Sequence, residues 1–166
     1  GIAEDFGTAP TDPRINDTYV SAPFLDALGK MADEAGLTSL YTVRAAVLDT
    51  GIDATHEDLV NRVVAGYDAI NDAAIAKGIN SDISANGHGT KVAGLIGAEA
   101  DNDVGFCGMA GKYPLELIPV RVLGEDGKGK IADVVRGIYW AIENGADILN
   151  MSFGANMSYY PTALAN

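Results

Sequence analysis

Two spacings of apolar residues take turns along this chain, one continuous and one recurring every three or four positions. The recurring kind appears first between Ala22 and Leu37, where Leu25, Leu28, Met31 and Ala35 predict a helix and Gly36 its stop. "VRAAVLDTG" then reads as a short buried strand, Val43 to Leu48, with Asp49 at its carboxyl end and Gly51 turning the chain. Thr90 to Glu99 is taken as a helix with His88 at its first turn, and Gly94, Gly97 and Ala98 would let it pack closely against its neighbours. "LIPVRVLG", Leu117 to Gly124, is a second strand, and the glycine-rich "GEDGKGK" leads from it into another helix. There Ile131, Val134, Val135, Ile138 and Ile142 fall on one face, and Gly145 stands where a C-terminal cap belongs. "DILNMSFG" follows as a third strand, whereas residues 1–18 mix Pro, Gly and Asp without period and read as an extended arm.

Strand, helix, strand with connections of this length means a parallel sheet crossed right-handedly, hence an α/β fold. Sites in such sheets form outside the carboxyl ends of the strands, where Asp49 and Ser152 both fall. With 166 residues, 48% of them hydrophobic, the chain can bury the core of one domain or the greater part of one.

Charge narrows the function. Eleven Lys and Arg against 23 Asp and Glu give a net charge of −12, which offers no basic face for nucleic acid. An acidic surface suits solubility and cation binding. No apolar stretch approaches the roughly 18 residues of a membrane span. Cys107 is the only cysteine, so an internal disulfide is impossible. Gly1 opens the chain without Met or an apolar leader, so a targeting segment is expected to be removed or never present.

The candidate chemistry lies in "AAVLDTGIDATHEDL" and "NGHGTKVAG", which set Asp49 and His88 beside tight glycine turns. Taken alone, either residue also fits a structural role. Together with "IPVRVLGEDGKGKIADVVRGIYWAIENGADILNMSFG", in this order and spacing, they resemble the subtilisin-like serine proteases, the subtilases, from about Tyr41 to Gly154. The resemblance implies a three-layer, doubly wound, mostly parallel sheet, represented here by the N-terminal part of one catalytic domain. It also implies a serine endopeptidase in which Asp49 and His88 supply two members of an Asp-His-Ser triad. The chemistry is consistent with that. A serine hydroxyl is a weak nucleophile until an imidazole takes its proton, and the imidazole needs a carboxylate on its far nitrogen to fix its tautomer. The family often carries a second His where this chain has Lys91, which leaves His88 as the only base in the motif. His56 is expected to be a structural partner near Asp58.

No serine here follows the family's "GTS" pattern, and Ser152 matches a cleft strand instead. The nucleophile and the oxyanion asparagine are therefore expected beyond Asn166, on a complementary C-terminal chain, and this chain alone is expected to be inactive. The resemblance makes Gly127, Lys128 and Gly129 one edge of a polypeptide-binding cleft and Ser152, Phe153 and Gly154 the other. It implies a structural calcium held by the side chains of Asp58 and Asn102 and the carbonyls of Ala100, Val104 and Phe106. Asp101 and Asp103 would add negative field, and a further ligand near Asn16 or Asp17 is possible. Secretion or the cell surface follows from family habit. Two other readings compete: a subtilase-like pseudoprotease or binding module, and an aspartic protease built on "LDTG", which would need a second such triplet from a homodimer.

Overall fold

A computed structural model of the chain describes residues 11–13, 27, 30–36 and 39–154. Most of the predicted arm, Asn16, Asp17 and much of the first predicted helix lie outside the described residues. Within them, residues 30–34 are helical and Gly36 takes a φ of 65°, the left-handed stop expected of it. Ala32 is buried there while Met31 and Ala35, two of the residues the spacing marked, are exposed; Leu25 and Leu28 lie outside the described residues.

The elements that follow are β1 (Val43–Asp49), β2 (Gly66–Asp68), β3 (Ala73–Ile75), α1 (His88–Gly97), β4 (Leu115–Arg121), α2 (Ile131–Glu143) and β5 (Ile148–Asn150). They build a five-stranded sheet in the order β3-β2-β4-β1-β5, parallel except for the β2–β3 pair. The expected α/β architecture is what forms. β1 and β4 run in register from Val43↔Leu115 to Asp49↔Arg121, so the two long apolar strands end together.

Strand alternation divides the core. Ala45 and Val47 pack with Ile52, Leu59, Leu117 and Ala93 of α1. Ala46 and Leu48 turn the other way, to Ile118, Val120 and the α2 residues Val134 and Ala141. Helix, sheet and helix thus form three layers. Leu48 and Leu117 have no exposed surface, and each such burial contributes about 1.5–3 kcal/mol.

Several boundaries move. β4 begins two residues before the predicted Leu117, because pairing with β1 reaches Leu115. β5 is confined to Ile148–Asn150 by its pairing with Ala45–Val47, so the predicted strand through Gly154 stops short. α1 begins at His88 rather than Thr90. On α2, Ile131 and Ile142 are exposed, and the buried residues include Val134, Gly137 and Ala141. Gly137 explains the rotation: a Cβ there would stand 2.6 Å from a Val122 methyl and 3.0 Å from one of Val120, so the helix seats its least bulky side on the sheet.

Candidate active site

Asp49 is the last residue of β1, at the carboxyl edge of the sheet, and its side chain is fully buried. Its Oδ1 accepts the Thr50 amide at 2.7 Å and lies 2.8 Å from His88 Nδ1. Its Oδ2 has no hydrogen-bond partner among the described residues. A carboxylate accepts only, so Nδ1 of a neutral His88 carries the hydrogen and Nε2 keeps its lone pair. The His88 side chain remains 44% exposed, with Nδ1 turned to the buried carboxylate.

Close backbone approach creates this contact. Gly51 has a φ of 109° and abuts the Ser81 carbonyl, which would collide with a Cβ. Gly89, the second residue of α1, faces the Gly51 carbonyl and lies so near that its Cβ would stand 3.2 Å from that of Asp49. Glycine at both positions lets the turn after β1 and the start of α1 meet main chain to main chain.

His88, Gly127, Ser152 and Phe153 line one groove of about 290 Å³, together with Glu125 and Asp126. The Lys128 amide, donating to Asp126, holds that carboxyl below the usual aspartate range. Gly127 has a φ of 72°, and a Cβ there would meet open space. Lys128 and Gly129 instead line a neighbouring depression, and Gly129 packs on the Val122 carbonyl, so its missing side chain serves packing. Ser152 Oγ accepts the Asn150 side-chain amide at 2.9 Å. Gly154 is exposed and is not among the residues lining the groove.

Beyond the far end of α1, the loop carrying Ala100, Asn102, Val104 and Phe106 curls through left-handed Asp101, Asp103 and Gly105, at φ of 61°, 59° and 53°. Asp58 is buried against it, accepting the Asn102 side-chain amide at 2.9 Å and the Phe106 amide at 3.3 Å. Asp12, also buried, accepts the amides of Asp101 and Asn102. Sequence reasoning allowed an N-terminal ligand near Asn16 or Asp17, which lie outside the described residues, and did not single out Asp12. Among the described residues no group of three His, Cys, Asp or Glu side chains forms a metal site. A cation here would therefore draw on amide and carbonyl oxygens as well as carboxylates. His56 sits where expected, its Nδ1 accepting the Asp58 amide at 3.1 Å.

Sequence reasoning missed Asp82, which joins the turn after β1 to the start of α1 through Thr50, Ser84 and Thr90. Burial alone would raise its pKa, but hydrogen bonds from Thr90, Ser84 and Thr50 bring it below the ordinary aspartate value. Ser81, Asp82 and Ser84 are helix-capping residue types shortly ahead of "NGHGT", but nothing in the sequence singles out Asp82 among them.

Comparison with known proteins bears on this geometry. The family model described as the subtilase family matches residues 42–165. A thermophilic serine proteinase of Bacillus sp. (strain AK1) is 36% identical over 121 residues, 73% of this chain and 28% of that protein. An intracellular serine protease of Paenibacillus polymyxa is 42% identical over 112 residues, 68% of this chain and 33% of that protein. Among solved structures, fervidolysin from Fervidobacterium pennivorans, a keratinolytic enzyme related to subtilisin, superposes with a TM-score of 0.66 at 27% identity, covering 92% of this chain and 22% of that one. The chain thus spans a third or less of the length of each of these relatives. One of them is named as intracellular, so membership does not fix a compartment. Among the described residues no helix is long and apolar enough to cross a membrane. With a His88–Asp49 contact at the sheet's carboxyl edge and a family match over three-quarters of its length, the chain belongs to the subtilase family.

Proposed function

We propose that this chain supplies the aspartate and histidine of an Asp-His-Ser triad in a serine endopeptidase. The observation carrying the reading is the 2.8 Å contact between a fully buried carboxylate and a half-exposed imidazole that opens on a groove. Asp49 would hold the ring and stabilise the imidazolium; His88 Nε2 would take the serine proton and return it to the leaving amine. The serine and the oxyanion asparagine would come from polypeptide outside this sequence, as a complementary C-terminal segment or chain, and residues 1–166 alone would be inactive. An extended peptide would lie between Gly127 and the Ser152–Gly154 segment, pairing through its backbone. Secretion or the cell surface is part of the same reading, and fractionation of the producing cells tests it.

The decisive test is labelling of the full-length protein by a serine-directed fluorophosphonate. Labelling that disappears in His88→Ala, with peptidase activity reduced by about 10⁴ or more, supports the triad. A folded full-length protein that is neither labelled nor active sinks it and leaves the pseudoprotease or binding module. Inhibition by pepstatin without labelling would instead indicate an aspartic protease.

We also propose a structural calcium at the loop after α1, held by the side chains of Asp58 and Asn102 and the carbonyls of Ala100, Val104 and Phe106. The donor chemistry fits a hard cation: Asp58 and Asn102 bring carboxylate and amide oxygens to one loop, and Gly105, where a Cβ would collide with the Asp58 carboxylate, lets that carboxylate lie against the loop's main chain. Bound calcium would stabilise the folded state by linkage, so chelation should lower the melting temperature of the full-length protein. An unchanged melting temperature counts against it.

A further inference from the structure

The start of α1 lacks the cap its sequence position should provide. Gly87 occupies the N-cap with a φ of 64° and has no side chain to offer, yet the first turn leaves its amides without partners inside the helix. All of those amides are satisfied from elsewhere. His88 N donates to Ser84 Oγ at 3.1 Å, Gly89 N to Thr50 Oγ1 at 3.0 Å, and Thr90 N to Asp82 Oδ2 at 3.0 Å.

The hydroxyls in that set share one acceptor. Thr50 Oγ1 donates to Asp82 Oδ1 at 2.9 Å, Ser84 Oγ to the same oxygen at 2.7 Å, and Thr90 Oγ1 to Oδ2 at 2.6 Å. A hydroxyl has a single hydrogen, and an ionised carboxylate has none. Each hydroxyl that gives its hydrogen to Asp82 must therefore meet its other neighbours through lone pairs. Thr50 receives Gly89 N, Ser84 receives His88 N, and Thr90 receives Asp53 N at 3.0 Å. Asp82 thus sets the polarity of every link between α1 and the turn after Asp49. Its negative charge also lies at the positive end of the helix.

On the reading that Asp49 and His88 act as a catalytic pair, we propose that Asp82 is its positioning residue. Through the hydroxyls of Thr50, Ser84 and Thr90 it fixes the start of α1 against the turn after β1, and so keeps the His88 ring on Asp49. Asp82 takes no part in proton transfer. Asparagine in its place would bring donors of its own into a set of hydroxyls arranged to donate. That reverses some links and leaves helix amides facing hydrogens.

The experiment uses the full-length protein and reads the pair directly. When His88 is protonated, its Nδ1 hydrogen, held by Asp49, should give a strongly deshielded proton resonance, assigned by its absence in His88→Ala. In Asp82→Asn this resonance should vanish or broaden into exchange with water, while the ring signals of His56, which Asp82 does not touch, stay in place. Thr50→Val keeps the Asp82 charge and cuts one link, and should weaken the same resonance. Hydrolysis by Asp82→Asn should fall in kcat by roughly 10–100-fold with KM nearly unchanged, the scale of a misplacement near 1 Å. If both variants are folded by circular dichroism and keep the wild-type resonance, the proposal is overturned. It is overturned equally if the loss in Asp82→Asn is reproduced in wild type simply by adding salt, since charge at a distance would then suffice. Should Asp82→Asn fail to fold, Thr50→Val decides alone. A resonance lost in Asp82→Asn in a protein that hydrolyses nothing would uphold the positioning role while defeating the peptidase reading.

Discussion

Replacing Gly89 by alanine sets two effects of opposite sign against each other. Gly89 lies in α1, where alanine is the better helix former by up to about 1 kcal/mol. On propensity alone, Gly89→Ala should stabilise the protein. The surroundings oppose this. The new Cβ would stand 3.1 Å from Thr50 Oγ1 and 3.2 Å from Asp49 Cβ, both tighter than ordinary contact, with the Gly51 carbonyl closer still. A carbonyl oxygen in the main chain cannot rotate aside as a side chain can. Overpacking of this kind costs about 1–3 kcal/mol, so the net effect should be destabilisation by up to about 2 kcal/mol, a few degrees in melting temperature. Relief comes from moving α1 away from the turn after β1, which is the direction that parts His88 from Asp49. Their 2.8 Å contact, widened by an opening on the order of 1 Å, would lie outside hydrogen-bonding range. Activity of the full-length protein should then fall about 10²-fold. Thermal unfolding followed by circular dichroism, paired with hydrolysis of a peptide substrate, checks both halves. A variant that melts higher than wild type and hydrolyses at the same rate would refute the reasoning.

Other consequences are independent of that site. Leu117→Ala removes a fully buried side chain from the layer under α1, and should cost about 2–5 kcal/mol in denaturant unfolding. Asp82 has a folded-state pKa below the ordinary 3.8, so its contribution to stability is complete above that pH and is lost as pH falls through the lower folded value. Asp82→Asn should therefore flatten the acid limb of a stability–pH curve and leave the slope above pH 5 unchanged. Burial pushes the Cys107 thiol up to about 11. Iodoacetamide at neutral pH should label it only as fast as the protein unfolds, and rapid labelling of the native state would contradict that burial.

How much of this was legible in the sequence follows from which forces act locally. β1 and β4 are runs of apolar residues buried on both faces, and such runs announce themselves. β2 and β3 have three residues each and little composition to mark them; β2 exists because Tyr67 and Asp68 find Val120 and Arg121 on β4. The turned face of α2 was hidden because Gly137, which carries no hydrophobic signal, decides it by admitting Val120 and Val122. Asp49 and His88 could be read from their glycine-flanked motifs. Asp82 could not, since its importance arises only when Thr50, Ser84 and Thr90 gather around it. Gly127 and Gly129 look alike in "DGKG", yet one borders open space and the other a carbonyl.

Where Gly51 meets Ser81 and Gly89 meets Gly51, peptide groups rest directly on peptide groups. The spacing of Asp49 and His88 is thereby inherited from main-chain geometry, which most substitutions nearby leave alone. Residues around the groove, Glu125, Asp126 and Phe153 among them, are free to vary in size and charge without disturbing it. Such a scaffold can alter the walls of its groove while keeping that pair in place.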